Sequence, residues 1–254
     1  MSDMDFRSFL NLISQPLESS FSGEEWQDPQ FCQHFFRSHR EGFYNLDEEV
    51  SFLLQWLDSG PILDLGSGDS RVLRPLLQKF KGLGVDYSFS ALKNNPESVI
   101  VGDCRALPLK GNFRMALLSM GQICFFKKPE LVSILSQIHG LLSRGGKVYL
   151  DLPTLDAAQS FHDCNEWEES ENGFSFWTRA FVPEDSILIQ REVSLSREGK
   201  LNYAYSFANQ IYSLHELLEI FRDLGYQVTY GAEDFINTPI KEESPWMIFI
   251  LTRN

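Results

Sequence analysis

The sequence predicts an α/β protein with a doubly wound, seven-stranded sheet and an antiparallel β insertion after the fifth strand. Three observations carry this expectation. Pro61-Ile62-Leu63-Asp64-Leu65-Gly66-Ser67-Gly68-Asp69-Ser70-Arg71 is an apolar run that ends in an acidic residue, passes a Gly-x-Gly turn and continues with helical spacing. This is the pattern by which a parallel strand hands over to a helix beneath a bound nucleotide. Gly84-Val85-Asp86-Tyr87-Ser88 and Val101-Gly102-Asp103-Cys104 repeat a strand that ends in a carboxylate. Beyond the fifth such segment the pattern changes to alternating, turn-linked strands. A Rossmann-like sheet of this kind places its ligand crevice at the C-terminal ends of its strands.

The elements follow in order. Residues 1–45 are rich in aromatics, with a helical segment at Asp28 to Arg40, and are expected to form an N-terminal helical cap on a main domain of residues 46–254. A helix at Asp47 to Asp58 carries Val50, Leu53, Leu54 and Leu57 on one face. Strand one then leads to helices at 70–80 and 89–95 around strand two, and strand three ends near Gly102. Met115 to Met120 reads as a buried fourth strand, residues 129–143 as a helix, and Lys147 to Asp151 as the fifth strand. Within residues 160–211, the segments Phe174 to Phe181, Ile187 to Ser196 and Leu201 to Ile211 are joined by Pro183-Glu184-Asp185 and Arg197-Glu198-Gly199-Lys200 turns. They form the expected antiparallel insertion, placed as a lid on the crevice. Ser213 and Glu216 make a capping box for a helix that ends at Gly225. Tyr226 to Tyr230 and Trp246 to Leu251 complete the sheet as a terminal pair.

Composition narrows the function. The chain has 254 residues and 43% apolar content, enough for a sizeable core, and no apolar run of about eighteen residues that would span a membrane. Met1-Ser2-Asp3-Met4-Asp5 lacks the basic start and apolar core of a secretory signal. Cys32, Cys104, Cys124 and Cys164 have no metal or redox spacing. A cytoplasmic protein, monomer or homodimer, without metal is expected. The net charge of −13 would repel nucleic acid and suits a small neutral or cationic partner; the same acidity equally serves solubility.

The glycine turn discriminates between cofactors. A dinucleotide site calls for Gly-x-Gly-x-x-Gly with backbone amides holding a pyrophosphate. Here the sixth position is Arg71, and Asp64 and Asp69 bracket the turn with negative charge, which argues against an NAD-linked oxidoreductase. A cofactor with an ammonium, a sulfonium and a ribose suits these surroundings, and S-adenosylmethionine (SAM) has all three. A carboxylate such as Asp86 at a strand tip can accept both hydrogens of the ribose diol.

These motifs, in this order, resemble the class I SAM-dependent methyltransferases, in particular the small-molecule branch that includes glycine and amino-sugar N-methyltransferases. Ile62 to Arg71 resembles the glycine-rich motif, Gly84 to Ser88 the ribose motif and Gly102 to Leu109 the adenine motif. Ser119-Met120-Gly121-Gln122 with Phe125 resembles the loop after strand four, and Leu141-Leu142-Ser143-Arg144-Gly145-Gly146-Lys147 the turn before strand five. Tyr230 to Phe235 and Ser244 to Ile248 resemble the same branch, so the likeness runs from about residue 50 onward. The chain departs from the pattern at Ser70, which is still small, at Phe113-Arg114, where the usual acid is not a usual cofactor ligand, and at Arg144, which replaces a turn proline.

The resemblance implies methyl transfer to N or O of a small-molecule acceptor by in-line displacement, with a non-catalytic SAM-binding protein as the alternative. It places Gly66 and Gly68 against the methionyl part of SAM and Asp64 near its ammonium. Asp86, with Tyr87, falls at the ribose, Asp103 and Cys104 at the adenine, and Ser119 and Met120 beside the methyl donor. Arg37, Arg40 and Tyr44 are candidates for closing over the methionine carboxylate. Tyr44, Trp177, Tyr203 and Phe207 are candidates for an aromatic wall around the acceptor, although alternating aromatics also suit the packed face of a small sheet. No catalytic residue is assigned: His139, His215, Asp151 and Glu192 are ionisable, but a general base must first be in reach.

Overall fold

The computed structural model describes residues 6–254 except 16, 18–19, 41–44, 94, 96–97, 161–163, 171–172 and 242. Five parallel strands form the centre of the fold: β1 (Ile62–Leu65), β2 (Gly82–Asp86), β3 (Val99–Val101), β4 (Phe113–Leu118) and β5 (Leu142–Pro153). β10 (Tyr226–Ala232) and β11 (Trp246–Arg253) add an antiparallel pair, giving the order β10-β11-β5-β4-β1-β2-β3. All four residues of β1 are buried, as expected for a strand covered on both faces.

Alternation along these strands separates two apolar layers. Leu63, Leu65, Ala116, Leu118, Val148 and Leu150 pack against α6 (Lys128–Leu141) and α8 (Leu214–Asp223). Ile62, Met115, Leu117 and Tyr149 meet α3 (Leu46–Trp56) and α4 (Leu73–Leu76) on the other face. Because side chains alternate with period two, Asp64 and Asp151 fall on the α3 face, each two residues beyond an apolar neighbour. α3 starts where the Asn45 side chain accepts the Asp47 amide at 2.9 Å. The expected Ser213–Glu216 capping box opens α8.

β6 (Cys164–Ser170), β7 (Gly173–Val182), β8 (Ile187–Leu195) and β9 (Leu201–Gln210) form a second, wholly antiparallel sheet. Three of its strands match the expected segments. β6 does not appear in the sequence reading, because Asn165-Glu166-Trp167-Glu168-Glu169 is acidic and without alternation; it is an exposed edge strand, where charge discourages further pairing. Two further differences have local causes. The helix expected at 70–80 shrinks to α4 and loose turns, since Pro75 has no amide to donate into the helical ladder. The turn expected before strand five is a bulge: Phe113 pairs with Leu142 and Met115 with Lys147, leaving residues 143–146 looped out between them.

Ahead of the sheet lie α1 (Phe6–Ile13), a 3-10 turn at Glu24–Gln27 and α2 (Pro29–Arg40). The expected helix at 28–40 starts one residue later because Asp28 is its cap, accepting the Gln30 amide at 2.7 Å. Among the described residues no helix is long and apolar enough to cross a membrane.

Candidate functional site

A cavity of about 190 Å³ lies at the C-terminal ends of β1, β2 and β4. Asp64, Gly66, Gly68, Asp86, Tyr87, Asp103, Cys104, Ser119 and Met120 all line it, so the structure brings together these nine residues expected at the cofactor from sequence. The turn after β1 needs its glycines. Gly66 and Gly68 have φ of +61° and +50°, a region that side chains disfavour, and a Cβ on Gly68 would come within 2.6 Å of Phe36 Cε1. The turn is fastened to the next strand: the Ser67 amide donates to Val85 O at 3.1 Å. The Gly68 amide donates to Asp86 Oδ2 at 2.8 Å, while Ser88 N donates to Oδ1 at 2.7 Å. Burial raises the Asp86 carboxyl above its ordinary range, offset in part by these two amides.

Asp64 is the most constrained acid of the floor. It is 2% exposed, and its Oδ1 has no hydrogen-bond partner. Burial, then the charges of Asp86 and Glu49, push its carboxyl well above the usual range. A buried carboxylate of this kind is stabilised by a cation beside it. Asp103, by contrast, is held low by the Arg105 guanidinium, whose Nε lies 3.0 Å from both its oxygens. Cys104 is buried and its thiol is pushed up to about 12, which leaves its backbone as the part available to a ligand. Met120, with φ of +62°, and Gly121 turn the chain after β4.

Behind the glycine turn sits a buried polar layer on the α3 face. Glu49 pairs with Arg71, and the Tyr149 hydroxyl donates to Glu49 Oε1 at 3.2 Å. Asp151, fully buried, accepts Trp246 Nε1 at 3.0 Å; burial and the nearby Glu49 charge push its carboxyl up to about 7. Neither Glu49 nor Asp151 lines the cavity, whereas Arg71 does. Glu49 and Arg71 therefore hold the underside of the turn.

The roof comes from elsewhere in the chain. Glu25, Trp26, Phe35 and Phe36 of the N-terminal segment, with Phe125 and Phe126 after β4, close the cavity. Trp26 is the hub, with ring centroids 4.7 Å from Phe35 and 5.6 Å from Phe125. Its carbonyl accepts from the Ser88 hydroxyl, and the Gln27 carbonyl from Ser90 Oγ at 3.1 Å. On the other side, the Tyr205 hydroxyl donates to Asp28 Oδ2 at 2.8 Å. The roof is thus tied both to the end of β2 and to β9.

The aromatic wall differs from the one expected. Tyr203 and Phe207 pack with Phe31 in a second layer behind α2, and neither they nor Trp177 line the cavity. The inserted sheet reaches the ligand space only through Ala208 of β9 and otherwise packs on α2, which supplies Phe35 and Phe36 to the roof. Glu192 is buried in this second layer, accepting the Tyr203 hydroxyl at 2.7 Å with His34 Nε2 at 3.3 Å. His139 stacks edge-on against Tyr226, and His215 sits at the exposed start of α8; both are away from the cavity. Tyr44 lies outside the described residues. Arg37 and Arg40 fall in α2, and their side chains are likewise outside the description. Glu25, Trp26, Phe35 and Phe36 were missed by the sequence reading; the one signal was the density of aromatics before residue 45. Among the described residues no cluster of His, Cys, Asp and Glu is arranged to hold a metal ion.

Comparison with known proteins agrees with this architecture. Residues 62–146 match the family described as a methyltransferase domain. No curated protein sequence matches the chain. Among solved structures, an S-adenosylmethionine-dependent methyltransferase from Clostridium acetobutylicum superposes with a TM-score of 0.78 at 13% identity, over 87% of this chain and 97% of that one. The CcbJ methyltransferase from Streptomyces caelestis gives 0.73 at 17% identity over 86% and 96%. The sugar N-methyltransferase KedS8 from a Streptoalloteichus species gives 0.67 at 14% identity over 87% and 92%. The glycine turn, the acidic strand ends and the loop after β4 all lie within the matched segment or directly at the cavity it forms. Residues 62–146 match a methyltransferase domain, and the chain as a whole shares the fold of these solved methyltransferases.

Proposed function

We propose that the protein is a SAM-dependent methyltransferase acting on N or O of a small-molecule acceptor. The observation that carries this reading is the convergence of the glycine turn, Asp64, Asp86, Asp103 and the Ser119–Met120 corner on one roofed cavity. The residues fit the cofactor. Asp64 has a buried, unpartnered oxygen suited to an ammonium, Asp86 stands at a strand tip suited to a diol, and the bare Gly66 and Gly68 admit a ligand against the backbone. Half-exposed Tyr87 offers a ring beside Asp86.

Bound SAM would supply a methyl group on a positively charged sulfur, already activated for displacement. What the protein adds is alignment and dryness. Holding two reactants in attack geometry can contribute roughly 7–11 kcal/mol of the barrier, and the Trp26, Phe35, Phe36 and Phe125 rings give the place where they would meet an apolar roof. Residues 1–45 act as a cap in this reading. The sheet of residues 160–211 supports the cap from behind, instead of contacting the acceptor through Trp177, Tyr203 or Phe207. A cytoplasmic location, a monomer or homodimer, and no nucleic-acid partner belong to the same proposal.

Calorimetric titration with SAM, S-adenosylhomocysteine and NAD tests it. Micromolar binding of the first two without NAD, followed by methyl release to amine or hydroxyl acceptors, is the expected result. Binding of NAD alone would overturn the reading; tight SAM binding with no turnover on any acceptor would leave a binding protein of the same fold.

A further inference from the structure

The corner after β4 carries a polar side chain to which the contacts above give no task. Gln122 follows Gly121, whose amide donates to Asp151 O at 3.2 Å and so fastens the corner to β5. The next two residues, Ile123 and Cys124, are buried in the core, whereas Gln122 lines the cavity. Its carboxamide lies on the glycine turn: a Cβ built on Gly66 would collide with Nε2 and come within 2.5 Å of Cδ. The missing side chain at Gly66 therefore makes room for this amide as well as for a ligand. The amide oxygen, Oε1, is buried and takes no hydrogen bond. Asp64 Oδ1, two residues before Gly66, is in the same condition. Two buried acceptors without donors, both lining one cavity, are a cost unless something that enters the cavity supplies the donors.

The pair specifies what arrives. Asp64 offers a carboxyl, and Gln122 a neutral amide with an acceptor at Oε1 and two N–H donors at Nε2. A phosphate brings no donor for either oxygen. A hydroxyl brings one hydrogen and leaves one of the two acceptors orphaned. An α-amino acid zwitterion satisfies both: its ammonium gives one hydrogen to Asp64 and another to Gln122 Oε1, and its carboxylate accepts from Nε2. The two guanidiniums described at the cavity are engaged, Arg71 with Glu49 and Arg105 with Asp103 and Glu130. Among the described lining side chains, the Gln122 amide thus offers that carboxylate a donor that no ion pair holds. We propose that Gln122 reads the amino-acid end of the cofactor and makes tight binding depend on that end. The inference rests on the methyltransferase reading and adds to it a specificity-determining side chain. Because Gln122 and Met120 share one corner, the same contact ties the amino-acid end to the loop proposed beside the methyl donor.

The test titrates the full chain with S-adenosylhomocysteine and with 5′-methylthioadenosine, which keeps the adenosine and the sulfur but lacks the amino acid. Wild-type protein is expected to prefer S-adenosylhomocysteine on the order of 100-fold. Gln122→Met and Gln122→Leu fill the space without hydrogen-bonding groups. Each should cut that preference about tenfold or more, the size of a hydrogen bond to a charged group. The loss should fall on S-adenosylhomocysteine alone, with 5′-methylthioadenosine within about twofold of wild type. A wild-type preference below about tenfold overturns the inference whether or not the variants fold. So does a preference that survives in either variant, which would leave the amino acid to other groups. An equal loss of both ligands also overturns it, and would make Gln122 a support of the turn. In each of these cases S-adenosylhomocysteine still binds wild-type protein and the methyltransferase reading stands; failure of that first titration overturns both.

Discussion

The floor and the roof of the cavity are built on different principles. The floor is a set of short turns at strand ends, each contiguous in sequence: residues 64–69, 86–87, 103–104 and 119–120. Its contacts run through main-chain amides, as where Asp86 collects those of Gly68 and Ser88. The roof is side chains, brought together from residues 20–36, 125–126 and 208 and held by ring packing around Trp26. A backbone floor tolerates change wherever a side chain points away, but not at its glycines or its bridging acid. A side-chain roof tolerates conservative swaps and can diverge to suit a different acceptor.

The largest effect should come from breaking the floor. Asp86→Ala removes the acceptor for two amides and for the proposed ribose contact, and should weaken SAM binding on the order of 100-fold while circular dichroism stays unchanged. Affinity within about twofold of wild type would mean that the ribose lies elsewhere. Next is the point where floor and roof touch. Gly68→Ala places a Cβ against Phe36 at a positive φ, a strain of roughly 1–2 kcal/mol before the contact is counted, so SAM affinity should fall about tenfold. Combining it with Phe36→Ala relieves the clash, and a double-mutant cycle should show coupling of about 0.5 kcal/mol or more. Strict additivity would separate the two regions. The smallest effect belongs to the roof alone. Tyr205→Phe loses the bond to Asp28 and should cost about 1 kcal/mol, a melting-temperature drop of roughly 2–4 °C. SAM affinity should stay within about twofold, and a matching loss there would show that the floor depends on the roof.

The floor was legible in the sequence because its chemistry is local. Asp64 stands two residues before Gly66, and Asp86 and Asp103 each end an apolar run, so the strand, the turn and the acid lining the cavity arrive as one motif. The strands that carry these acids were legible for the same reason. The elements that escaped were those without a local signature. β6 has acidic, unpatterned residues and exists only because β7 offers it a partner. α4 was over-read because apolar spacing outweighed Pro75. Tyr203 and Phe207, expected at an acceptor wall, pack against Phe31 of α2 and do not line the cavity, and nothing in their own segment encodes that.

What the sequence determined by itself is the periodicity of the strands, the glycine turn and the acids at the strand ends, since each depends on residues within a few positions of one another. What only the tertiary structure decided is the identity of the roof: that Glu25 and Trp26 close the cavity, that Arg71 is committed to Glu49, and that the inserted sheet acts from behind. Those outcomes depend on which distant side chains share a volume from which water is excluded, a long-range packing condition that local spacing does not carry.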